Sequence, residues 1–313
     1  MKVVKPRRLK KNDLIGLISP ASLPDDVTSI EKSVNYLERL GYSVEVGKNS
    51  GKLHGYLAGT DQERLSDLHY MFGKKEVKAV FCLRGGYGTP RLLDKIDYKI
   101  IRKNPKIFVG YSDITALQSA IFQKTDLVTF AGPMPAVDFS NEISKYTEEM
   151  FWRLITSNKK YGKIKLPGDE NIIGLTKGST SGRIIGGNLA TLVSIIGTEY
   201  LSLFKDKILI LEDVGELPYR IDRMLNQLRL AKVFNQVRGI ILGTFIDCNE
   251  HDPEKRTLTL GEVIDDYFGS LKKPVVYNFK HGHIKDMITV PLGITFKVNA
   301  GRGSVEINEG AVS

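Results

Sequence analysis

Apolar residues in the first part of the chain follow two alternating patterns. Short runs rich in apolar residues predict buried strands at residues 14–19, 42–46, 77–83, 107–110 and 128–131. The stretches between these runs predict helices at residues 27–40, 61–71, 89–96 and 114–122. Strands that alternate with helices are typical of a parallel sheet with helices on both faces. Such sheets bind ligands in the loops that follow the carboxyl ends of their strands.

The pattern is interrupted at residues 141–178, which hold one amphipathic helix followed by a lysine- and glycine-rich stretch without strong periodicity. Alternation then resumes, with strands predicted at residues 208–211, 239–243 and 275–278, helices at 189–196, 219–230 and 260–268, and a strand-rich tail at 288–298. The predicted fold is α/β. Residues 1–140 form an N-terminal domain with a Rossmann-like parallel sheet. The segment 141–178 connects it to a smaller C-terminal α/β domain with its own sheet, residues 179–313.

Composition excludes several classes of protein. The chain has 313 residues, of which 42% are hydrophobic and 26% are charged, so a disordered, collagen-like or coiled-coil protein is excluded. Two domains of ordinary size fit this length, and each could bury its own core. The two cysteines, Cys82 and Cys248, lie far apart and form neither a disulfide framework nor a zinc-binding spacing. The cysteines therefore predict no zinc site.

The net charge of +9 leaves several partners to consider. No basic block is interleaved with aromatic residues, so nucleic-acid binding is not predicted, and the charge fits an anionic small substrate or simple solubility. No apolar segment follows the basic N-terminus, which argues against a signal peptide. The longest uncharged stretch, residues 184–198, is short and broken by glycine, so no membrane span is predicted. We therefore expect a cytoplasmic protein.

The sequence Gly-Tyr-Ser-Asp at residues 110–113 lies where a predicted strand meets a predicted helix. A serine at such a turn presents its hydroxyl above the sheet, and the helix N-terminus directs N–H groups at a nearby oxyanion. Ser112 is therefore a candidate nucleophile, although the second glycine of the G-x-S-x-G pattern is missing. The alternative is that Ser112 or Asp113 only caps the helix.

A nucleophilic serine needs a base and an acid that orients the base. His281 and His283 follow the predicted strand 275–278, and their spacing does not choose between them. The candidate acids follow the apolar strand 208–211 and are Glu212, Asp213 and Glu216. A carboxylate at the end of a buried strand needs a partner. That partner is either a histidine or, in a purely structural ion pair, Arg220 or Arg223.

A glycine-rich run, Arg84-Gly85-Gly86-Tyr87-Gly88, follows another predicted strand. Glycines let the backbone approach a ligand closely, and their N–H groups can donate to it. The run matches neither of the common phosphate-binding patterns. The alternative is a plain turn.

Together these segments carry a resemblance. The sequence resembles the LD-carboxypeptidase family of serine peptidases, which includes the muramoyltetrapeptide carboxypeptidases and the microcin C self-immunity peptidases. The matching stretches occur in family order over nearly the whole chain and are LIGLISPAS, LAGTDQERLSDL, FCLRGGYGTPRLL, FVGYSDITAL, GRIIGGNLATL, ILILEDVGELPYRIDRMLNQL, and GHI followed by VPLG. As a set they are far more specific than any one of them.

The resemblance implies a catalytic triad of Ser112, Glu212 and His283, with Glu216 as the alternative acid. It implies an oxyanion hole made by the backbone N–H groups of Gly86 and Asp113. It also implies an active site between the two domains, no metal, no cofactor and a homodimer.

A carboxypeptidase must recognise the terminal carboxylate of its substrate. Arg84 is the first candidate for this role because it adjoins the glycine run, and Arg183 and Asn188 are further candidates. For all three residues the alternative is structural packing or a surface charge.

The resemblance implies a peptidase that removes the terminal D-alanine from tetrapeptide muropeptides during cell-wall recycling. The alternative within the family is a microcin C self-immunity type of peptidase, which cleaves an amide of a peptidyl- or aminoacyl-adenylate. Such an enzyme would be expected to stack adenine on an aromatic side chain in a loop, whereas the sole tryptophan, Trp152, lies in a predicted amphipathic helix. A binding protein without catalysis would keep the cleft but need not keep the triad.

Overall fold

The computed structural model describes residues 3–201 and 204–313. The strands of its first half are β1 (Leu14–Ile18), β2 (Ser43–Val46), β3 (Val77–Cys82), β4 (Ile107–Gly110) and β5 (Thr129–Ala131). The helices are α1 (Thr28–Arg39), α2 (Asp61–Gly73), α3 (Tyr98–Lys103), α4 (Thr115–Thr125) and α5 (Lys145–Thr156). Every strand that the apolar runs predict in this half is present.

The second half of the chain supplies the remaining elements. Its strands are β6 (Gly162–Lys163), β7 (Ile173–Gly174), β8 (Ser179–Asn188), β9 (Lys207–Val214), β10 (Gly239–Ile246), β11 (Val275–Tyr277), β12 (Val290–Leu292), β13 (Thr295–Asn299) and β14 (Ser304–Ile307). Its helices are α6 (Leu189–Ser194), α7 (Pro218–Leu230), α8 (Val233–Gln236) and α9 (Leu260–Phe268).

The first sheet has the strand order β12-β5-β4-β3-β1-β2. Strands β1 to β5 pair in parallel, as the alternation of strands and helices predicts. Strand β12 comes from the other half of the chain and pairs antiparallel with β5. The two halves are therefore joined through a shared sheet as well as through their connection.

The second sheet has the order β6-β14-β13-β8-β9-β10-β11-β7 among the described residues. Strands β8 to β11 form a parallel centre, and the strands outside them pair antiparallel. The edge strands β6 and β7 come from the segment 141–178, so this segment contributes to the sheet. The α/β fold with two sheets, the first of them mostly parallel, is confirmed.

The predicted helix at residues 89–96 is wrong. Only a short 3-10 turn forms over Thr89–Leu92, and a separate helix, α3, follows. Pro90 lies in the first turn, where it is tolerated, and Asp97 starts α3 by accepting a hydrogen bond from the N–H of Lys99 at 2.9 Å. The helical turn thus ends before residue 96, and α3 is a helix that the sequence pattern did not predict.

The core is continuous across the two halves. One group of buried apolar side chains joins α4 of the first half to β8, α6 and β9 of the second half, and includes Leu117, Ile185, Leu189 and Leu209. Each such side chain stabilises the fold by about 1.5–3 kcal/mol relative to an exposed one. Within the described ranges, every helix is too short or too polar to cross a bilayer.

Candidate active site

Ser112 lies in the sharp turn between β4 and α4. It is one of the few non-glycine residues with a positive φ, 63°. This left-handed conformation costs an L-residue free energy and is characteristic of functional turns. Strand, strained turn and helix together lift the hydroxyl above the sheet and place it near the N-terminus of a helix.

The glycine run packs directly against this serine. A Cβ on Gly85 would lie 2.9 Å from Cβ and 3.1 Å from Oγ of Ser112, so any side chain there would press on the nucleophile. Ser22 holds the loop, because its N–H donates to the carbonyl of Gly85 at 3.1 Å and its Oγ accepts from the N–H of Tyr87 at 3.1 Å. Gly86, with φ of 99°, has an N–H without an acceptor in the described chain. This N–H is available to a ligand.

His283 and Glu212 meet across the second sheet. Nδ1 of His283 donates to Oε2 of Glu212 at 2.9 Å, and the side chain of Glu212 is only 1% exposed. A carboxylate can only accept, so the hydrogen bond places the proton on Nδ1 and leaves Nε2 as the basic nitrogen. Burial by itself would lower the pKa of His283, but the hydrogen bond and charge of Glu212 outweigh it and raise the pKa.

A glycine makes the contact between this histidine and its acid possible. A Cβ on Gly282 would lie 2.7 Å from Oε2 of Glu212 and 2.6 Å from Oγ1 of Thr244. Gly282 also has a φ of 128°, which L side chains rarely adopt. The backbone that carries His283 can therefore lie flat on the buried carboxylate only because residue 282 has no side chain.

Tyr111 connects the serine turn to the histidine. Its ring packs edge-on against the imidazole of His283, with centroids 5.1 Å apart and planes at 65°. Because Tyr111 directly precedes Ser112, this contact brings the carboxyl end of β4 to the loop after β11. The structure thus brings the turn that carries Ser112 toward His283, the hydrogen-bond partner of Glu212, and Tyr111 is a neighbour of this candidate site that the sequence did not indicate.

The other candidate acids and base have structural partners. Glu216 is partly exposed and pairs with Arg220 at 3.4 Å. His281 is buried, its Nδ1 lies 2.8 Å from the carbonyl of Ile288, and burial lowers its pKa. Of the two histidines that spacing left open, His283 is the one bonded to Glu212, and its role as the base stays a prediction.

Asp213, next to Glu212, is held by a network around Asn188. Asn188 donates from Nδ2 to Asp213 at 2.9 Å, and its Oδ1 accepts from the N–H of Thr191 to cap α6. The N–H of Ala190 also donates to Asp213 at 2.9 Å. Burial raises the pKa of Asp213 to about 6 despite these donors. The amide of Asn188 is therefore occupied by protein groups.

Asp113 ties the serine turn to the end of the glycine run. Its buried carboxylate accepts from the N–H of Thr89 at 2.8 Å, and the hydroxyl of Thr89 donates to its carbonyl at 2.5 Å. Burial raises the pKa of this carboxyl. The contacts of Asp113 with Thr89 thus hold the turn that contains Ser112. They also fix the backbone N–H of Asp113, the group next to Ser112 that the resemblance assigns to the oxyanion hole.

The two candidate arginines lie in different places. Arg84 adjoins Gly85, which packs on Ser112, but its side chain is held by protein groups. Arg84 donates to the carbonyl of Leu23 at 3.0 Å and forms an ion pair with Asp25. In the ladder between β8 and β9, Arg183 lies opposite Lys207 at the start of β9. Asn188 lies opposite Glu212, toward the other end of β9. Five residues of strand separate Arg183 from that end by about 16 Å. The role of these arginines in substrate binding stays a prediction.

Two family profiles match the chain. The LD-carboxypeptidase N-terminal domain matches residues 15–132, and the LD-carboxypeptidase C-terminal domain matches residues 181–298. The chain belongs to the LD-carboxypeptidase family. The resemblance drawn from the sequence motifs is thereby confirmed.

Relatives of known name support this membership. The chain is 42% identical over 308 residues to a probable murein peptide carboxypeptidase of Bacillus subtilis (strain 168), covering 98% of this chain and 95% of that protein. A structure of the microcin C7 self-immunity protein MccF in complex with aspartyl sulfamoyl adenosine has a TM-score of 0.87 at 29% identity, covering 99% and 100% of the two chains. A muramoyltetrapeptide carboxypeptidase from Oxalobacter formigenes has a TM-score of 0.82 at 28% identity, covering 94% and 97%.

These findings establish the class of enzyme. An LD-carboxypeptidase with relatives named as murein carboxypeptidases is a hydrolase of the serine carboxypeptidase type. The candidate residues for such chemistry in this chain are the Ser112 turn after β4 and the hydrogen-bonded pair of His283 and Glu212.

Proposed function

We propose that this LD-carboxypeptidase removes the terminal D-alanine from tetrapeptide muropeptides, through an acyl-enzyme on Ser112, in the recycling of cell-wall peptides. The observation that carries the mechanism is the hydrogen bond from His283 to the buried carboxylate of Glu212, at the edge where the strained Ser112 turn ends β4. The names of the murein carboxypeptidases among its relatives support the substrate.

The first half of the reaction forms the acyl-enzyme. Nε2 of His283 takes the proton of Ser112 as Oγ attacks the scissile carbonyl, and Glu212 stabilises the imidazolium that forms. The N–H groups of Gly86 and Asp113 bind the oxyanion, and one such donor typically contributes about 3 kcal/mol to the transition state.

The second half releases both products. His283 gives its proton to the amide nitrogen, the carbon–nitrogen bond breaks, and D-alanine leaves. A water molecule then attacks the ester on Ser112, with His283 accepting its proton, and the shortened peptide is released with Oγ protonated again. Every step uses groups of this chain.

The alternative is cleavage of an aminoacyl- or peptidyl-adenylate. The likeness to MccF, solved with aspartyl sulfamoyl adenosine, favours it. Against it, Trp152 stacks on Tyr42 with centroids 5.1 Å apart, and its Nε1 donates to the hydroxyl of Tyr36 at 3.1 Å. The tryptophan is thus packed into the first half of the protein, away from any role as an adenine platform. We therefore favour the muropeptide substrate.

The test compares two substrates and two proteins. We expect the unmodified enzyme to release D-alanine from a muropeptide tetrapeptide, and Ser112→Ala to release none. Unchanged release by Ser112→Ala would overturn the serine mechanism. Failure of the unmodified enzyme on the tetrapeptide, together with cleavage of an aminoacyl-adenylate analogue, would select the alternative.

Two further properties, one expected from the sequence and one from the resemblance, are part of the same proposal. The enzyme acts in the cytoplasm and as a homodimer. Fractionation of cells followed by detection of the protein, and sedimentation equilibrium of the purified chain, test these two statements separately.

A further inference from the structure

A cavity of about 430 Å³ opens beside His283. Its wall includes Tyr111 and the loop that carries Ile284 and Lys285, and its opposite side is formed by residues 137–144. The proposed mechanism uses only His283 from this set. The charged groups that face the cavity are Asp138, Glu142 and Lys285, beside His283 itself.

Asp138 is a half-buried carboxylate that forms no ion pair with any described residue. Its Oδ2 accepts the N–H of Met134 at 2.7 Å, and Oδ1 has no donor among the residues that the structure describes. Loss of solvation raises the pKa of Asp138 to about 6, although the Met134 N–H and the charge of His283 act in the opposite direction. Removing a carboxylate from water without a counter-ion is unfavourable, so such a group at a cleft is a candidate for binding a ligand cation.

Lys285 supplies the opposite charge at the rim. Its carbonyl is held from α5, because Oγ of Ser144 donates to it at 3.1 Å and Oγ1 of Thr147 donates to it at 2.8 Å. Its side chain is exposed and makes no ion pair with any described residue. The backbone of Lys285 is therefore fixed while its ammonium group is available to a ligand. Glu142, also exposed at the rim, adds negative charge that water screens.

We propose that this cavity binds an α-amino-acid zwitterion, with the ammonium group toward Asp138 and the carboxylate toward Lys285. The proposal rests on the proposed function and specifies how its substrate is held. An amino acid carries its two opposite charges on one carbon, and the cavity offers an anion at its wall and a cation at its rim. A simple anion would meet two carboxylates here, and a simple cation would leave Lys285 unused.

Two groups have this chemistry in the course of the reaction. One is the departing D-alanine, whose nitrogen is an uncharged amide in the substrate and becomes an ammonium group only after His283 has protonated it and the carbon–nitrogen bond has broken. The other is the far end of a diamino acid on the acyl side of the bond, when that side chain ends in both an amine and a carboxyl group. The two sources differ in which substrate group Lys285 recognises.

The experiment uses four tetrapeptides, with either lysine or meso-diaminopimelate before the terminal D-alanine, and with that D-alanine either free or amidated. kcat/KM is measured for the full chain and for Lys285→Gln and Asp138→Asn. Lys297→Gln and Asp266→Asn, which change exposed residues outside the cavity, are the matched controls. Asp138→Asn keeps an oxygen for the Met134 N–H and removes only the charge.

A side-chain source predicts that the unmodified enzyme prefers the diaminopimelate peptides by at least about tenfold, and that Lys285→Gln removes this preference without slowing the lysine peptides. A departing-residue source predicts that amidation of the D-alanine lowers kcat/KM by a similar factor. Lys285→Gln then removes the difference between free and amidated peptides. For a side-chain source, Asp138→Asn raises KM on the diaminopimelate peptides more than on the lysine peptides. For a departing-residue source, Asp138→Asn instead weakens inhibition by the released D-alanine. Equal effects of the variants on all four peptides, or no effect, would overturn the proposal.

Binding keeps this test separate from turnover. The same peptides are titrated by calorimetry into Ser112→Ala and into Ser112→Ala combined with Lys285→Gln. If the unmodified enzyme hydrolyses none of the peptides, the proposed function fails, yet selective binding that depends on Lys285 would still support the cavity proposal. Binding that does not distinguish the peptides, or does not change with Lys285→Gln, would reject it.

Discussion

His283 donates a 2.9 Å hydrogen bond to Glu212 across 71 residues of sequence. The carboxylate lies near the end of β9, and the histidine follows β11, so strand β10 separates their parent strands in the sheet. Gly282 permits this contact because a Cβ there would collide with the carboxylate. The pair fixes one imidazole nitrogen as a donor and leaves the other for chemistry at the edge where the Ser112 turn lies.

Removing the charge of Glu212 is expected to change the pH profile. The pKa of His283 is raised above its ordinary value because Glu212 outweighs the effect of burial, and the base works only when neutral. Activity is therefore lost as the pH falls through this raised pKa. In Glu212→Gln burial dominates and lowers the pKa, so the acid limb of kcat/KM moves to lower pH, while kcat falls by about 10³–10⁴-fold.

The matched control is Glu216→Gln. Glu216 is partly exposed and pairs with Arg220, so the acid limb and kcat of this variant should stay those of the unmodified enzyme. A shift with Glu216→Gln and none with Glu212→Gln would make Glu216 the functional acid. Rate measurements over a pH series decide between the two.

The left-handed conformation of Ser112 predicts a difference in stability between two inactive variants, Ser112→Gly and Ser112→Ala. Ser112 has a φ of 63°, which glycine adopts without steric cost and alanine does not. We expect Ser112→Gly to have a free energy of unfolding about 1 kcal/mol above that of Ser112→Ala, after the greater entropy of the unfolded glycine chain is included. Urea unfolding of both inactive variants measures the difference. A less stable glycine variant would show that the turn is not strained.

Packing of the glycine run against the nucleophile predicts a catalytic defect without unfolding. In Gly85→Ala the new Cβ would lie 2.9 Å from Cβ of Ser112 and 3.3 Å from the carbonyl of Tyr111. A displacement of the nucleophile by a few tenths of an ångström is expected to lower kcat at least about tenfold. Gly51→Ala is the control, since no heavy atom lies within 4 Å of its new Cβ. Equal kcat values for the two variants would contradict the close contact.

Sequence patterns predicted the parts of the site that depend on local order. Periodicity alone predicts that Ser112 lies at a strand-to-helix turn and that Glu212 lies near the end of a buried strand. Periodicity could not choose between His281 and His283, because both follow the same strand and only the packing of Gly282 on Glu212 distinguishes them. The family resemblance made that choice.

Tertiary pairing explains what the patterns missed. Strand β12 leaves its own half to pair with β5, and no local signal encodes that partner. Arg183 shares a motif with Asn188, yet they occupy opposite ends of β8, because an extended strand carries five residues over about 16 Å. The contact of Tyr111 with His283 likewise depends on the two sheets meeting. Which residues meet at the candidate site depends on how the strands are arranged in the two sheets. The spacing of residues along the sequence does not reveal that arrangement.

Asn188 separates a structural role from substrate recognition. Its side chain donates to Asp213 and caps α6, so Asn188→Ala removes a helix cap and one donor of a buried carboxylate. We expect a loss of about 1–3 kcal/mol in the free energy of unfolding, measured by urea denaturation. Where it is still folded, without urea, the variant should keep the KM of the unmodified enzyme. The reason is that the side-chain amide of Asn188 is already bound to protein groups. A raised KM without a loss of stability would instead assign Asn188 to the terminal carboxylate of the substrate, the role that the sequence resemblance suggested for it.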